Sequence, residues 1–392
     1  MSKLNDLIKE MCPNGVKKYT IKDICLVTRG RVISKMELQE NIGEYPVYSS
    51  QTLNNGVFGK INTYDFEGQY VQWTTDGANA GSIFYRNGKF SVTNVCGLLK
   101  VKDEYFNVIN TNYLSYALTM ESKKYVNYAT SNPKLMSNVM ERITVLIPPI
   151  EIQEEIVKIL DTFGELEAEL EAELEARKTQ YEFWRGKLLN SGNSNQQYIT
   201  LGDIGKVCMC KRIMKNETSD SGDVPFYKIG TFGKQADAYI SYDIFNDYKK
   251  RFSYPKKGEI LVSCSGTIGR SVVFDGNDAY FQDSNIVWLS NDERKILNKF
   301  LYYFYQTSPW NISDGGTIKR LYNNQFISTK VPLYSLEKQK MIVSILERFD
   351  KLINDISEGL PAEIELRRKQ YEYYRNKLLS FEGLYYEWLI RW

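Results

Sequence analysis

The residue types that usually carry catalysis are scarce in this chain, and those present lack the spacing they would need. Histidine is absent from all 392 residues, which removes Ser-His-Asp and Cys-His catalysis, HExxH zinc sites and any histidine base. The six cysteines, Cys12, Cys25, Cys96, Cys208, Cys210 and Cys264, form no Cys-x-x-Cys pair. Neither a zinc site nor a disulfide framework is therefore indicated, and Cys208 and Cys210 read as half-buried strand residues. The run GTIGRS at Gly266 lacks the Gly-Lys-Ser/Thr ending that reaches phosphates and metal. There is no GxGxxG after a strand, no Asn/Asp-Pro-Pro-aromatic tetrad and no metal-nuclease pattern, and Pro148-Pro149 ends a strand rather than building a base pocket. No catalytic residue, metal ligand or cofactor is assigned to the chain itself. What remains is hydrogen bonding by Asn, Gln, Ser, Thr, Lys and Arg set in glycine-rich turns.

The elements that must position those turns are written twice. From Ile147 the chain reads IPPIEIQEEIVKILDTFGEL and then ARKTQYEFWRGKLLN; from Lys330 it reads KVPLYSLEKQKMIVSILERFDKL and then RRKQYEYYRNKLLS. Gln153, Ile156, Ile159, Leu160 and Phe163 recur 186 residues on as Gln339, Ile342, Ile345, Leu346 and Phe349. Tyr181, Arg185, Lys187 and Leu188 recur 190 residues on as Tyr371, Arg375, Lys377 and Leu378. Such self-similarity marks a duplicated architecture. The apolar residues Ile152, Ile156, Ile159, Phe163, Leu166, Leu170 and Leu174, and then Tyr181, Trp184 and Leu188, step by threes and fours. That spacing predicts a helix with one continuous seam. The change of offset is one further step of four, which lengthens a helix by about 6 Å and turns it about 400°, keeping the seam on nearly the same face. The first helix carries ELEA three times from Glu165 to Ala176; the second has Gly359 and Pro361 in the middle, which should kink or split it.

Two divergent heads precede these helices, over residues 1–146 and 191–330. TIKDI at Thr20 matches TLGDI at Thr200, DGANAGSIFY at Asp76 resembles SGTIGRSVVF at Ser265, and PKLMSN at Pro133 resembles KRLYNN at Lys319. Short β-rich runs (TYDFEGQYVQW, EILVSCSG, SVVFDG, NIVWLS) alternate with turns, and TNYLSYALTM and KFLYYFYQ read as one helix in each head. The fold class expected is α+β: two mixed heads separated by two long antiparallel coiled-coil helices (147–190 and 331–392), with an internal pseudo-two-fold. The first head carries 17 Lys and Arg against 13 Asp and Glu, the second 18 against 14, and the segment 147–190 carries 5 against 11. Basic heads joined by an acidic spacer suit phosphate binding at two points. No apolar run reaches 18 residues and the start MSKLNDLIKEMCPNG is charged, so a cytoplasmic protein without a membrane span is expected.

The paired P-x-x-x-x-Q-x-x-I-V-x-I-L helix starts, the Q-Y-E-aromatic-aromatic-R-x-K-L-L helix ends and the N-terminal CPNGV resemble the specificity subunit of type I restriction–modification enzymes, over essentially the whole chain. The resemblance implies two target recognition domains that each read one half of a split, asymmetric sequence in double-stranded DNA. It implies that the paired helices dock two methyltransferase subunits, which use S-adenosylmethionine, and that restriction subunits add ATP- and magnesium-dependent translocation and cleavage. Gln153, Tyr181 and Arg185, with their repeats Gln339, Tyr371 and Arg375, are the expected subunit-interface residues. Departures from the pattern are the Gly359/Pro361 break and the aromatic tail FEGLYYEWLIRW.

Arg on guanine, Asn or Gln on adenine, and apolar contact with the thymine methyl distinguish base edges. In the first head the candidates are Ser49, Gln51, Trp73, Thr74, Asn79 and Asn94. In the second they are Lys228, Thr231, Ser265, Thr267, Arg270, Gln282 and Asn285. Lys319 completes the DNA-binding candidates, and Lys134 and Arg320, at matched positions, suit phosphates better than bases. Two other readings stay open at this stage: a self-sufficient DNA-modifying enzyme, and a coiled-coil adaptor that binds protein through its tyrosine-rich heads.

Overall fold

The computed structural model describes residues 2–129, 131–190, 195–312 and 319–381. The chain divides into two compact units, one of residues 1–170 with 364–392 and one of residues 171–363. The tail from 382 onward lies outside the described residues.

In the first unit, α1 (Ser2–Met11) leads into β1 (Lys17–Thr20), β2 (Cys25–Arg29), β3 (Ile42–Tyr48), β4 (Val57–Ile61), β5 (Phe66–Thr74), β6 (Ile83–Val92) and β7 (Cys96–Val101). Next come α2 (Thr111–Glu121), β8 (Thr144–Ile147) and the 40-residue helix α3 (Ile150–Leu189), whose first part belongs here. Six strands form one sheet in the order β2-β7-β5-β6-β3-β4, antiparallel except for the β3–β6 pair; β1 and β8 form a separate antiparallel ribbon. Sequence decides where the β5–β6 ladder leaves ordinary strand geometry. Gly68 and Gly88 sit opposite each other in the β5–β6 ladder at φ +106° and +102°, a conformation that costs glycine little. Past Gly88, Phe90 and Val92 of β6 pack with Tyr70, Cys96 and Leu98. On the other face, Trp73, Leu99, Tyr113, Leu114 and Leu118 form the main core with Ile152, Ile156 and Leu160 of α3.

The second unit repeats the path with shorter strands: β9 (Tyr198–Thr200), β10 (Gly205–Cys208), β11 (Val224–Tyr227), β12 (Tyr239–Ile240), β13 (Ile260–Ser263), β14 (Ser271–Val273), β15 (Tyr280–Phe281), β16 (Ile286–Asn291) and β17 (Lys330–Pro332). Its longer helices are α4 (Tyr242–Arg251), α5 (Asn298–Tyr305) and α6 (Leu336–Asn354). The single long β6 of the first unit is here two strands, β14 and β15, separated by the Asp275-Gly276-Asn277-Asp278 turn with Gly276 at φ +91°. The sheet accordingly divides into β10-β16-β13-β14 and β12-β11-β15, and β11 and β15 keep the parallel pairing of β3 and β6. The strand runs and the two helices expected from sequence fall on β5, β13, β14, β16, α2 and α5.

The second repeat helix splits, as Gly359 and Pro361 predict. After α6, Asp355 accepts from the amides of Ser357 at 2.7 Å and Glu358 at 3.1 Å. A Cβ on Gly359 would meet the carbonyl oxygen of Lys351 at 2.6 Å, so only glycine fits there. The chain restarts as α7 (Leu360–Ser380), with Pro361 in its first turn, where a missing amide costs nothing.

Each unit pairs helix segments in the same way. In the first, Phe163 of α3 stacks on Tyr374 of α7 at 5.5 Å and meets Tyr371 at 6.5 Å, while Glu167 accepts from Arg368 at 2.6 Å. Moving up α3 therefore means moving down α7, so the pair is antiparallel. In the second unit Tyr181 of α3 meets Phe349 of α6 at 6.2 Å. These are the repeat's own equivalents, Phe163 with Phe349 and Tyr371 with Tyr181.

The seam is not continuous, in contrast with the periodicity. Leu166 is 40% and Trp184 36% exposed, and Ile356 is 86% exposed in the link between α6 and α7. Near its start α3 packs on its own head through Ile152 and Ile156 of the stripe together with Gln153 and Leu160, so there the seam faces the core of the head.

Candidate functional site

In each unit three loops gather around one backbone pattern. The first-unit loops follow β3 (Ser49–Gly56), β5 (Thr75–Ser82) and β6 (Thr93–Val95), and the segment at Lys134–Leu135 closes the group. Thr93 N–H donates to Tyr48 O at 2.9 Å, Thr75 N–H to Val95 O at 2.9 Å, and Leu135 N–H to Thr75 O at 2.8 Å. In the second unit Gln282 N–H donates to Tyr227 O at 3.0 Å, Cys264 N–H to Asn285 O at 2.7 Å, and Leu321 N–H to Cys264 O at 2.9 Å. The backbone frame is therefore duplicated, and the side chains it carries are different.

The first cluster is stitched together by polar side chains. Asn79 Nδ2 donates to Ser50 O at 3.0 Å, Thr93 Oγ1 to Ser49 Oγ at 3.2 Å, and Gln51 Nε2 to Val57 O. Arg29, on β2, donates to Asn94 O at 2.7 Å and Thr75 Oγ1 at 3.1 Å, and lies 3.8 Å from Asp76. Lys134 Nζ is 3.9 Å from the other oxygen of Asp76, with its side chain 47% exposed. The one carboxylate at this site is thus held between two cations. Asn94 is exposed.

Two candidates of the first head are corrected. Trp73 and Thr74 are completely buried and cannot meet a base. The Trp73 indole donates to Leu135 O at 2.9 Å, and a Cβ on its strand partner Gly97 would lie 2.0 Å from the ring. Trp73 is therefore core that ties the Lys134–Leu135 segment to the sheet.

In the second cluster Ser265 Oγ donates to Asn285 Oδ1 at 2.8 Å, and Gln282 Oε1 accepts from Ile229 N–H at 2.9 Å. Arg320 donates to Ser284 O at 2.8 Å and Arg270 to Phe232 O at 2.9 Å. Lys228 pairs with Asp237 at 3.0 Å, and Thr231 Oγ1 bonds back to Lys228. Thr267 and Lys319 are exposed. The structure therefore brings together all the second-head candidates near the loops that follow β11, β13 and β15. Burial pushes the thiols of Cys96 and Cys264 up to about 11, so neither is a thiolate at neutral pH. Among the described residues, no group of three or more His, Cys, Asp and Glu could hold a metal.

The interface candidates divide. Gln153 and Gln339 are fully buried, which takes their side chains out of reach of any partner. Gln153 donates to Val108 O at 2.8 Å and Pro148 O at 2.7 Å and accepts from Asn110 N–H at 2.9 Å. Gln339 donates to Lys295 O at 2.8 Å and Tyr334 O at 2.9 Å and accepts from Leu297 N–H at 2.8 Å. Both glutamines clamp a head to its helix. Tyr181 is also buried, its hydroxyl 3.4 Å from Gln306 Oε1, which Arg185 meets at 3.3 Å. Tyr371 and Arg375 are half-buried, the guanidinium 5.5 Å over the ring.

The comparisons with known proteins agree with this duplicated frame. A family described as the type I restriction modification DNA specificity domain matches twice, over residues 13–176 and 193–366. The chain belongs to that family. It is similar to a putative type I restriction enzyme specificity subunit of Haemophilus influenzae, 47% identical over 350 residues that cover 86% of this chain and 89% of that one. A putative type I specificity subunit of Mycoplasma pneumoniae is 36% identical over 370 residues, covering 93% and 98%. A solved chain described under the complex assembly and conformational transition of the type I restriction–modification system shares the fold at a TM-score of 0.59, with 13% identity and coverage of 94% and 98%. The chain is a non-catalytic specificity subunit, and its role is to recognise DNA.

Arg29, Gln72 and Arg86 escaped the sequence reading. None of the three lies in a segment that recurs in the other half, so no repeat marks them.

Proposed function

We propose that each loop cluster reads one half of a bipartite, asymmetric DNA target, and that the chain thereby directs adenine methylation and restriction by partner subunits to that target. One observation carries this reading: the same three backbone bonds recur in both units while the side chains they present differ. Asn94 in the first cluster, with Thr267 and Asn285 in the second, are the candidates for base edges. Lys134, Lys319 and Arg320 are the candidates for phosphate oxygens. The chain assembles with other subunits of a type I system, two methyltransferases at quasi-equivalent helix surfaces and, for cleavage, restriction subunits. S-adenosylmethionine, ATP and magnesium belong to those partners, and the complex works in the cytoplasm. No described helix is long and apolar enough to cross a membrane.

The test is a chimera in which residues 191–330 are replaced by the corresponding head of another family member, followed by methylome sequencing. One half-site is expected to change while the other stays the same; a folded chimera that changes both would overturn independent reading. Methylation of DNA by the purified chain alone, given S-adenosylmethionine, would overturn the assignment of chemistry to the partners.

A further inference from the structure

One charged side chain of the first unit is buried within its sheet. Arg86, in the middle of β6, is only 2% exposed, and among the described residues no carboxylate pairs with it. A buried cation without an ion pair is expensive and persists only where its donors are satisfied. Here they are. Nε donates to Gln72 Oε1 at 2.7 Å, Nη1 to Asn55 Oδ1 at 3.1 Å and Nη2 to Asn55 O at 2.9 Å. The guanidinium lies 3.6 Å from the centre of the Tyr48 ring and 4.5 Å from that of Phe84. Burial draws its pKa down to about 10, which leaves it cationic at neutral pH.

Everything Arg86 grips leads to one loop. Leu53–Gly56 contains two consecutive residues in the left-handed region, Asn54 at φ 51° and Asn55 at φ 51°. Non-glycine residues adopt this conformation rarely, asparagine most readily among them, and two in succession persist only where the surroundings hold them. Gly56 follows at φ +77°, where a Cβ would come within 3.0 Å of Arg86 Nη2. The same loop is fixed from below: Ser49 N–H donates to Gly56 O at 3.0 Å, Gln72 Nε2 to Ser49 O at 3.4 Å and Asn79 to Ser50 O. All this holds out a tip with nothing folded over it. Leu53 is 82% exposed, and Asn54 is exposed with its side-chain amide in no described hydrogen bond. An amide that both donates and accepts, beside a bare aliphatic side chain, suits an adenine edge next to a thymine methyl. In the second unit the matching Tyr227 instead stacks on Phe281 at 5.8 Å.

We propose that Leu53 and Asn54 form a preformed base-reading tip of the first unit, and that Arg86 is the positioning residue that holds it in its left-handed conformation. The proposal rests on the DNA-reading function stated above and assigns part of it to residues outside the candidates read from sequence. Rigidity is the point of the arrangement, because a loop already in its bound conformation loses no ordering entropy on contact.

The test uses the chain co-expressed with its methyltransferase and reads methylomes of wild type, Asn54→Ala, Asn54→Gly, Leu53→Ala and Arg86→Met. Wild type defines two half-sites; if it defines none, the functional reading fails first, independently of this proposal. Leu53→Ala alters an exposed side chain and leaves stability unchanged, while Asn54→Ala, at a left-handed φ that alanine disfavours, is run beside Asn54→Gly, which removes the same amide without that strain. Each is expected to relax one position of the half-site read by the first unit by about tenfold or more, with the other half-site unaltered. Arg86→Met is expected to relax the same positions, with some loss of thermal stability because it leaves the buried Gln72 Oε1 without its donor. Wild-type selectivity in the tip variants would overturn the reading of the tip. Wild-type selectivity in a folded Arg86→Met would reduce Arg86 to a structural role. If Arg86→Met fails to fold, the tip variants alone decide.

Discussion

Replacing Gln153 with alanine tests whether this residue holds a head or meets a partner. The side chain makes three hydrogen bonds in a site with no solvent exposure, two donated to Val108 O and Pro148 O and one accepted from Asn110 N–H. Asn110 also caps α2, its side chain accepting from Asn112 N–H and Tyr113 N–H, so the loss falls on a helix start already under load. Alanine strands two carbonyls and one amide. Each orphaned buried group costs about 1–3 kcal/mol, and water entering the space left by the amide recovers part of it. A net loss of about 3 kcal/mol is expected, at the high end for a single substitution. At about 2–4 °C per kcal/mol for a unit of this size, the melting transition should fall by about 6–12 °C. Calorimetry should show the loss in one transition for Gln153→Ala and in the other for Gln339→Ala, because the two networks lie in different units. A shift below about 2 °C, together with loss of methyltransferase binding, would refute the clamp and restore an interface role.

Gly97→Ala should be as damaging as Trp73→Ala, about 3–5 kcal/mol by chemical denaturation, since the new Cβ would overlap the Trp73 ring; near-neutral behaviour would show that the ring moves freely. Lys134→Ala should weaken DNA binding by the assembled complex about equally across sequences and reduce the salt slope by about one. A change of base preference in that variant would instead make Lys134 a reader. Native mass spectrometry should find one copy of this chain with two methyltransferases, and a saturated one-to-one complex would contradict the internal symmetry. Deleting Glu169 to Ala172 removes one ELEA, about 6 Å of helix, and is expected to shorten the unread spacer by one base pair. An active variant with an unchanged spacer in its methylome would leave ELEA as helix filler.

The duplication, the helix ends, the break at Gly359 and Pro361 and the family were all legible in the residues themselves. Helix periodicity, glycine punctuation and repeated motifs act over a few residues, and so they survive in one dimension. The roles of individual polar side chains did not, because a role depends on what lies across the sheet. Trp73 and Asn94 stand in similar turn-rich runs, yet one is sealed under Leu135 and the other is exposed. Gln153 and Arg375 belong to the same repeated signature, yet burial makes the first a clamp and leaves the second on the helix surface. Arg86 shows the difference most sharply: in the sequence it is one more basic residue of a positive head. Only the packing of β6, which sets its guanidinium against Tyr48 and within hydrogen-bond reach of Asn55, turns it into the anchor of a loop. Local propensity determined the elements and their order, and burial, a property of the folded chain alone, decided which side chains are left to touch DNA.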